Sequence, residues 1–532
     1  MKRGFFLGCN TTLWRNVINA LDDCEFVYVS GERAQLDVLH DQGGILHDDE
    51  QAERGILPPA FSANTQIALD EVILARFRQT ELNTLGIASR MDRGYTFSLE
   101  ERRRLYYRWL EAWLNAVANL KPDFVFFPVT PHSVYDYVLY GVCLEQGIPI
   151  VCFRNITALG LVLPFPYFDQ PNERIASNYQ ALLQRDPQLD ALMTDLSERT
   201  VKYLGSHSKD YHEAMPEYLR RRLDSESRRG AIRVDSPLRW FFSRLLRLHR
   251  IPRYARSLVR LIVHYARSLI RFFNDAPPKN FLKHAYENLE DSHLSGIQWR
   301  RYKVWAKRYK SSLRRAYDGL TMEPEFQVDY VYVALQYQPE RTSQPEGGRF
   351  ADQWLMVRML AAQLPEGWRI IIKENPTQLL PGTSHGERGR LPGFYQDLLN
   401  AGNVQLVPIT TSQFDLIDNA RAVVTLNGTP GFEAVLRGVP AFTFGHAWYR
   451  GCDGVFLTSD RNKLAAAIEA VASGYKPDRH KVLMFLRAVE QSGVHGYFSR
   501  RHASNFDVEN EAFAREIAVL AREMIQENDP GK

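Results

Sequence analysis

Two parallel, doubly wound α/β domains separated by a basic helical insertion are the fold class the sequence predicts. Three observations carry that reading. Short apolar runs alternate with helix-patterned segments through the first part of the chain, and the same alternation returns at Val328. Between them, over 180–320, helical patterns dominate and β-branched runs almost vanish. The 532 residues leave room for about three units of roughly 100–200 residues each. The expected division is 1–180, an acceptor-side α/β domain; 181–325, a basic helical insertion or connector; 326–480, a nucleotide-binding α/β domain; and 481–532, helices that cross back to the first domain.

Composition narrows the class. Hydrophobic residues make up 45% and charged residues 24%, which excludes a disordered or collagen-like chain. Five cysteines in 532 residues cannot staple a fold, so a reducing compartment is expected.

In chain order, FFLG reads as a strand, LWRNVINALDD as a helix and CEFVYVS as a strand. RRRLYYRWLEAWLNAVANL is strongly helical, and KPDFVFFPVT is a buried strand behind a turn. YDYVLYGVCLEQG is a helix ending at Gly147, followed by the strand IPIVCF. The apolar, Pro-rich stretch from there to about Ile175 reads as a cleft-facing loop or a domain crossing. After Val328, VDYVYVALQ, WRIIIKENP, NVQLVPI, RAVVTLNG and VPAFTFG read as strands with helices between them, VPAFTFG being the final strand. A last helix is expected from Glu509 to Gln526.

The net charge of +4 hides an asymmetry. Residues 231–320 hold 20 Lys and Arg against 6 Asp and Glu, a local balance of +14, so the remainder carries −10. Trp240, Phe241, Phe242, Phe272 and Phe273 interleave with these cations. An amphipathic helix on an anionic membrane surface through 237–315 is one reading. A helical insertion with snorkelling Arg side chains is the other. No spanning helix is expected, because Leu258 to Phe273 is broken by Arg260, Arg267 and Arg271. The N-terminal apolar run, Phe5 to Leu7, is too short for a signal of roughly 7–15 apolar residues and reads as a strand. The expected location is cytoplasmic, peripheral on the inner face of the cytoplasmic membrane. No compact nucleic-acid motif accompanies the charge, so no nucleic-acid partner is expected.

Chemistry concentrates at strand ends of the second domain. In VVTLNGTPGFEAVLRG a strand stops near Leu426, a turn runs through Asn427 and Gly428, and a helix starts around Pro430. Free first-turn amides and the helix dipole suit a phosphate, and Gly428 and Gly431 permit close backbone approach. Thr429 can donate to a phosphate oxygen, and Glu433 can accept from ribose hydroxyls. A capped helix beside a sheet would show the same pattern. In IIIKENPTQLL, Lys373, Glu374 and Asn375 stand where a strand opens, with Lys373 as phosphate counter-charge and Asn375 as hydrogen-bond donor. In ALQYQPERTSQPEGGRF, Gln336, Gln338 and Glu340 project from a loop after the domain's first strand.

These stretches, with WYRGCDGVF, resemble the bacterial capsule polysaccharide biosynthesis family, which includes the β-Kdo glycosyltransferases that start capsule export linkers. The resemblance is close over the second domain and weaker over PHSVYDYVLYGVCLEQGIPIVCFRNITALG in the first. It implies a GT-B-like pair of Rossmann-type domains facing a cleft, with a nucleotide-sugar donor on the second domain and the acceptor mainly on the first. The Gly-Thr-x-Gly-x-Glu pattern is intact as Gly428, Thr429, Gly431 and Glu433, and Gln-Pro-Glu as Gln338, Pro339 and Glu340. Kdo-transferring members use CMP-Kdo and carry His-Pro near the donor phosphate. Asn375-Pro376 stands there in this chain, and Asn supplies no titrating imidazole.

The activity so implied is transfer of a sugar, Kdo or a related acidic sugar from a CMP-activated donor, to a surface-polysaccharide or lipid-linked glycan. No metal and no further cofactor are expected. A retaining course needs a carboxylate nucleophile, and an inverting one a general base. Asp136, Asp169 and Glu340 are the candidate carboxylates. His132 is a candidate for acceptor binding or proton transfer, and Arg154 for pairing with a donor or acceptor carboxylate. A sugar-nucleotide epimerase or hydrolase, and a non-catalytic glycan-binding assembly protein, are the competing classes.

Overall fold

A computed structural model describes residues 1–39, 44–62, 67–92, 97–207, 296–380, 386–498 and 510–527. Most of the 237–315 segment, including Trp240, Phe241, Phe242, Phe272 and Phe273, lies outside the described residues. The helix Gly296–Asp318, which overlaps its end, is described.

The N-terminal sheet is built from β1 (Lys2–Cys9), β2 (Cys24–Gly31), β3 (Ile45–Asp48), β4 (Phe124–Phe127), β5 (Ile150–Ile156) and β6 (Leu161–Pro164). The C-terminal sheet holds β7 (Tyr330–Ala334), β8 (Arg369–Lys373), β9 (Val404–Leu406), β10 (Ala422–Thr425), β11 (Ala441–Thr443) and β12 (Val455–Leu457). After β12 the chain returns to the first sheet, where β13 (Val494–His495) pairs antiparallel with β6. The strand orders are β13-β6-β5-β4-β1-β2-β3 and β12-β11-β10-β7-β8-β9. This is the two-lobed α/β arrangement that the alternating patterns predict.

Residue type explains the parallel cores. All four residues of β4, Phe124 to Phe127, are buried, as they must be in a strand covered on both faces. One face packs Trp109 and Trp113 of the helix Leu99–Leu120 against the sheet. That helix starts at a capping box in which the Ser98 hydroxyl accepts from Glu101 N–H and Glu101 accepts from Ser98 N–H. The other face packs Trp14 and Val17 of the helix Thr12–Ala20 against Ile517 and Ala521 of the helix Glu511–Glu527. Arg522 fixes that last helix through Asp22 and Asp23, each at 2.9 Å. Gly147 ends the helix Val134–Gln146 at φ 67°, a left-handed cap that glycine adopts without strain.

Three sequence expectations need correction. The stretch read as a loop before Ile175 contains β6, an edge strand antiparallel to β5. Prolines at 164 and 166 disguise it, but Pro164 sits only at its last position, where a missing N–H is tolerated. VPAFTFG is not the last strand, since β12 and β13 follow. The first sheet is therefore parallel only up to β5.

In the second sheet the chain steps from β7 outward through β8 to β9, then jumps back beside β7 and proceeds through β10 to β12. The reversal between β7 and β10 is a topological switch point, where loops leaving adjacent strands diverge and open a crevice. The lobes also share an apolar cluster in which Leu163, Ile175 and Tyr179 meet Phe432, Trp448 and Phe485. Among the described residues no helix is long and apolar enough to cross a membrane.

Candidate functional site

A cavity of about 350 Å³ opens at this switch point. The loop after β7 supplies Gln336, Glu340 and Arg341, and the loop after β10 supplies Asn427, Gly428 and Thr429. Asn375 enters from the end of β8, and Arg154 and Thr157 come from the N-terminal lobe.

Local bonds hold the β10 turn open toward this space. Asn427 N–H donates to Gln336 Oε1 at 3.2 Å, and Asn427 Nδ2 donates to the Thr342 carbonyl at 2.7 Å. Gly428 N–H donates to Thr425 Oγ1 at 3.2 Å, while Tyr449 O–H donates to the Gly428 carbonyl at 2.6 Å. The helix Thr429–Leu436 starts there with Gly428 as N-cap and no side-chain cap. Its first turn is left to attract an anion. Gly431 is required for a steric reason, because a Cβ would lie 2.4 Å from the Tyr449 hydroxyl oxygen.

The other predicted residues divide. Asn375 lines the cavity and caps the short helix after it, its Oδ1 accepting from Thr377 N–H at 2.9 Å. Gln336 lies behind the turn, its backbone N–H and carbonyl tied to the Gln353 amide at 2.7 and 2.9 Å. Gln338 faces a neighbouring groove and bonds through its backbone to Gln378 at 2.9 Å in both directions.

Lys373 and Glu374 were expected to reach the cleft, and neither lines it. Lys373 is 2% exposed and donates through Nζ to the Thr411 carbonyl at 2.6 Å. Burial pushes its pKa down to about 7, against an opposing pull from Glu433. Glu374 is 1% exposed and held by Arg390 at 2.7 Å and by the Tyr395 hydroxyl at 2.9 Å. Glu433, expected at a ribose, accepts from Gln413 Nε2 instead.

Arg154 also finds a protein partner. Its Nη2 donates to Glu346 Oε2 at 2.7 Å, and Arg341 Nε lies 3.2 Å from the other oxygen of the same carboxylate. Two guanidinium groups thus share one negative charge on the cavity wall. Arg341 retains partial exposure there.

Two of the acid–base candidates, Asp136 and His132, meet at the start of one helix. Asp136 forms a capping box at the helix Val134–Gln146, accepting from Ser133 N–H at 2.7 Å and His132 N–H at 3.2 Å. Burial pushes its pKa up to about 8, although those N–H bonds favour the charged form. His132 donates through Nδ1 to the Thr130 carbonyl at 3.0 Å, which leaves Nε2 with its lone pair. Burial, then Arg90 and Arg341, push its pKa down to about 3, so it stays neutral at physiological pH. Asp169 is exposed, and its backbone carbonyl accepts from Arg450 Nη1 at 2.9 Å. Glu340 alone of the candidate carboxylates lines the cavity. It stands exposed at the mouth, yet desolvation by the walls raises its pKa, while the Thr342 hydroxyl donates to it at 2.9 Å.

Residues 281–484 match the family described as capsule polysaccharide biosynthesis protein, less than half of the chain. The matched span includes β7 to β12 and the whole β10 turn. Comparison with curated proteins finds no match. Among solved structures, the chain is similar to the β-Kdo 2,7 transferase KpsC of Thermosulfurimonas dismutans, at 17% identity and TM-score 0.22. That likeness covers 40% of this chain, which spans 60% of the transferase's length. A UDP-GlcNAc 2-epimerase of Methanocaldococcus jannaschii is matched at 13% identity and TM-score 0.24, over 92% of this chain and all of that one. The spinosyn rhamnosyltransferase SpnG is matched at 11% identity and TM-score 0.20, over 98% of this chain and all of that one.

Arg341, Glu346 and Tyr449 shape the candidate site and are not singled out by the sequence. Glu346 lies in the quoted Pro-Glu-Gly-Gly run, and the adjacent Gly347 was its signal. A Cβ at Gly347 would lie 2.4 Å from the Ser343 carbonyl oxygen, so the loop folds tightly enough to bury the carboxylate beside it. Tyr449 carries no local signal, because its role depends on Gly431, eighteen positions away.

Proposed function

We propose that the chain is a nucleotide-sugar-utilising enzyme that transfers a sugar to a surface-polysaccharide or lipid-linked glycan. One observation carries this reading. The switch-point cavity joins an uncapped helix start at Gly428 and Thr429 to a second cation, Arg341, on a wall where Glu346 neutralises only one. That pairing suits a diphosphate or a phosphate beside an acidic sugar. In the transfer step the acceptor hydroxyl oxygen bonds to the anomeric carbon as the bond to the donor phosphate oxygen breaks. The hydroxyl proton passes to a base, and the nucleotide leaves with its negative charge stabilised by the helix start and Arg341. Glu340 is the carboxylate assigned to the reacting centre, as base or as nucleophile. The family resemblance supports an acidic sugar on a CMP carrier, and Asn375 in place of His leaves other nucleotides in the test.

The experiment is a panel of CMP-, UDP- and GDP-activated sugars, with and without a lipid-linked glycan. Binding by calorimetry and transfer to the glycan are the expected results. Glu340→Gln should lower turnover by about 100-fold or more and leave donor binding within about twofold. Epimerised or hydrolysed sugar in acceptor-free tubes, with no transfer, would establish the competing reading. Glycan binding without any nucleotide binding would establish the non-catalytic one.

The proposal extends to location. The +14 balance of residues 231–320 would hold the enzyme on the anionic inner face of the cytoplasmic membrane, beside a lipid-linked acceptor. Flotation with phosphatidylglycerol vesicles, lost at high salt and absent with phosphatidylcholine, is the expected result. Equal flotation on both would overturn it.

A further inference from the structure

A groove of about 700 Å³, larger than the switch-point cavity, lies beside it. The loop from Gln336 to Gln344 separates the two. Gln336, Glu340 and Arg341 face the cavity, while Gln338, Ser343 and Gln344 face the groove. The groove also spans both lobes. Gly86, Ser89 and Arg90 of the helix Arg78–Met91 form one wall, and residues between Ala351 and Asn400 form the other.

Its chemistry divides into a shelf, hydroxyl acceptors and a cation. Trp354 is 37% exposed, unusual for a ring of that size, and the Arg358 guanidinium lies 5.7 Å from its centroid. Exposed Asp352, Asp397 and Asn400 offer carboxylate and amide oxygens. Arg90 donates through Nη2 to the His132 carbonyl, and its Nε has no hydrogen-bond partner. Burial, then the nearby Arg388 and Arg341, lower its pKa to about 10, against an opposing pull from Asp136 and a weaker one from Glu53. Two glycines let the walls pack closely against the loop. A Cβ on Gly389 would lie 2.2 Å from the Gln338 carbonyl oxygen, and one on Gly86 2.6 Å from Gln344 Nε2.

A flat apolar shelf flanked by planar polar groups is how proteins hold a sugar ring, with its C–H face on the aromatic and its hydroxyls on the carboxylates and amides. A guanidinium with an unpartnered N–H, set beside a second guanidinium in the same groove, is a site for an anionic substituent. We propose that this groove is a second binding site, for a short saccharide carrying an acidic group, with Trp354 as the stacking shelf and Arg90 as the partner of the anion. The saccharide is the acceptor chain, and it enters the reaction across the Gln336–Gln344 loop. Only the word acceptor rests on the proposed function, since the groove binds the saccharide without it.

The test is calorimetry of the full chain with trigalacturonate, galactotriose and inorganic phosphate as probes. CMP and UDP are titrated separately to report on the cavity. Trp354→Ala removes an exposed ring, and Ser89→Trp fills the groove from the opposite lobe. Trigalacturonate should bind the wild type, and each variant should weaken it at least about tenfold while nucleotide binding stays within about twofold. Galactotriose should bind about tenfold more weakly than trigalacturonate. No binding of trigalacturonate, or binding unchanged in both variants, overturns the proposal. So does full displacement by inorganic phosphate with Trp354→Ala silent, which marks a simple anion site. Trigalacturonate binding without either nucleotide leaves the groove standing and removes support from the nucleotide-sugar reading.

Discussion

Arg154 in β5 of the N-terminal lobe donates to Glu346 in the C-terminal lobe at 2.7 Å, and the two side chains are 5% and 0% exposed. An ion pair this deep joins the lobes at the wall of the cavity. The carboxylate also faces Arg341 at 3.2 Å, which gives the pair an asymmetry that can be measured. Glu346→Gln leaves two guanidinium groups around a neutral amide and should cost about 3–5 kcal/mol. Arg154→Met leaves Glu346 still paired with Arg341 and should cost less. Urea midpoints of the two variants decide this, and equal or reversed losses would show that the shared carboxylate is not what holds the lobes.

Gly431→Ala tests the steric basis of the β10 turn. The new methyl must displace the Tyr449 ring, whose hydroxyl lies 2.4 Å from that position and donates to the Gly428 carbonyl. Overpacking of this kind costs about 1–3 kcal/mol, and loss of the Tyr449 bond frees the turn that presents the helix start. A lower melting temperature together with weaker nucleotide binding is the expected pair of results. Tyr449→Phe should reproduce the binding loss with a smaller loss of stability.

Asn375 combines a cap with a place on the cavity wall, and two substitutions separate them. Asn375→Ala removes the acceptor for Thr377 N–H and should cost about 1 kcal/mol in thermal or urea unfolding. Asn375→Asp keeps the cap but adds a negative charge to the cavity, so it should hold stability and weaken nucleotide binding. Retained affinity in the Asp variant would mean that the donor phosphates lie elsewhere.

How much of this was legible in the sequence depends on the range of the interaction. β4 and β8 announce themselves as unbroken apolar runs, and the strand–turn–helix through Gly428 is complete in sixteen residues. The switch point follows from strand order, which local patterns do not encode, so the cavity could be expected but not placed. Side-chain direction at strand ends was the main failure. Glu374 is drawn inward by Arg390 and Tyr395, partners sixteen and twenty-one residues further on. β13 is two residues long and exists only because β6 offers it an edge, so no period can reveal it. Asp136 shows the reverse case, since its position three residues after Ser133 is the local signature of a capping box.

Lys373 gives a prediction in pH. Its pKa near 7 in the folded protein lies below the ordinary lysine value of about 10.4, which the unfolded chain recovers. Between those values the unfolded state binds the extra proton, so the stability of the native state rises with pH across that window. The contribution reaches at most about 1.4 kcal/mol per pH unit for this one group. Below about pH 7 both states hold the proton, the slope vanishes, and a buried ammonium remains with the Thr411 carbonyl and the nearby Glu433 to stabilise it. Lys373→Met removes the titration and should flatten the wild-type rise in urea stability between pH 7 and 9. The difference between the two proteins should be smallest at the alkaline end, where Lys373 is already neutral. A parallel offset at every pH would show that the side chain remains charged, reaching solvent along a path the buried position does not display.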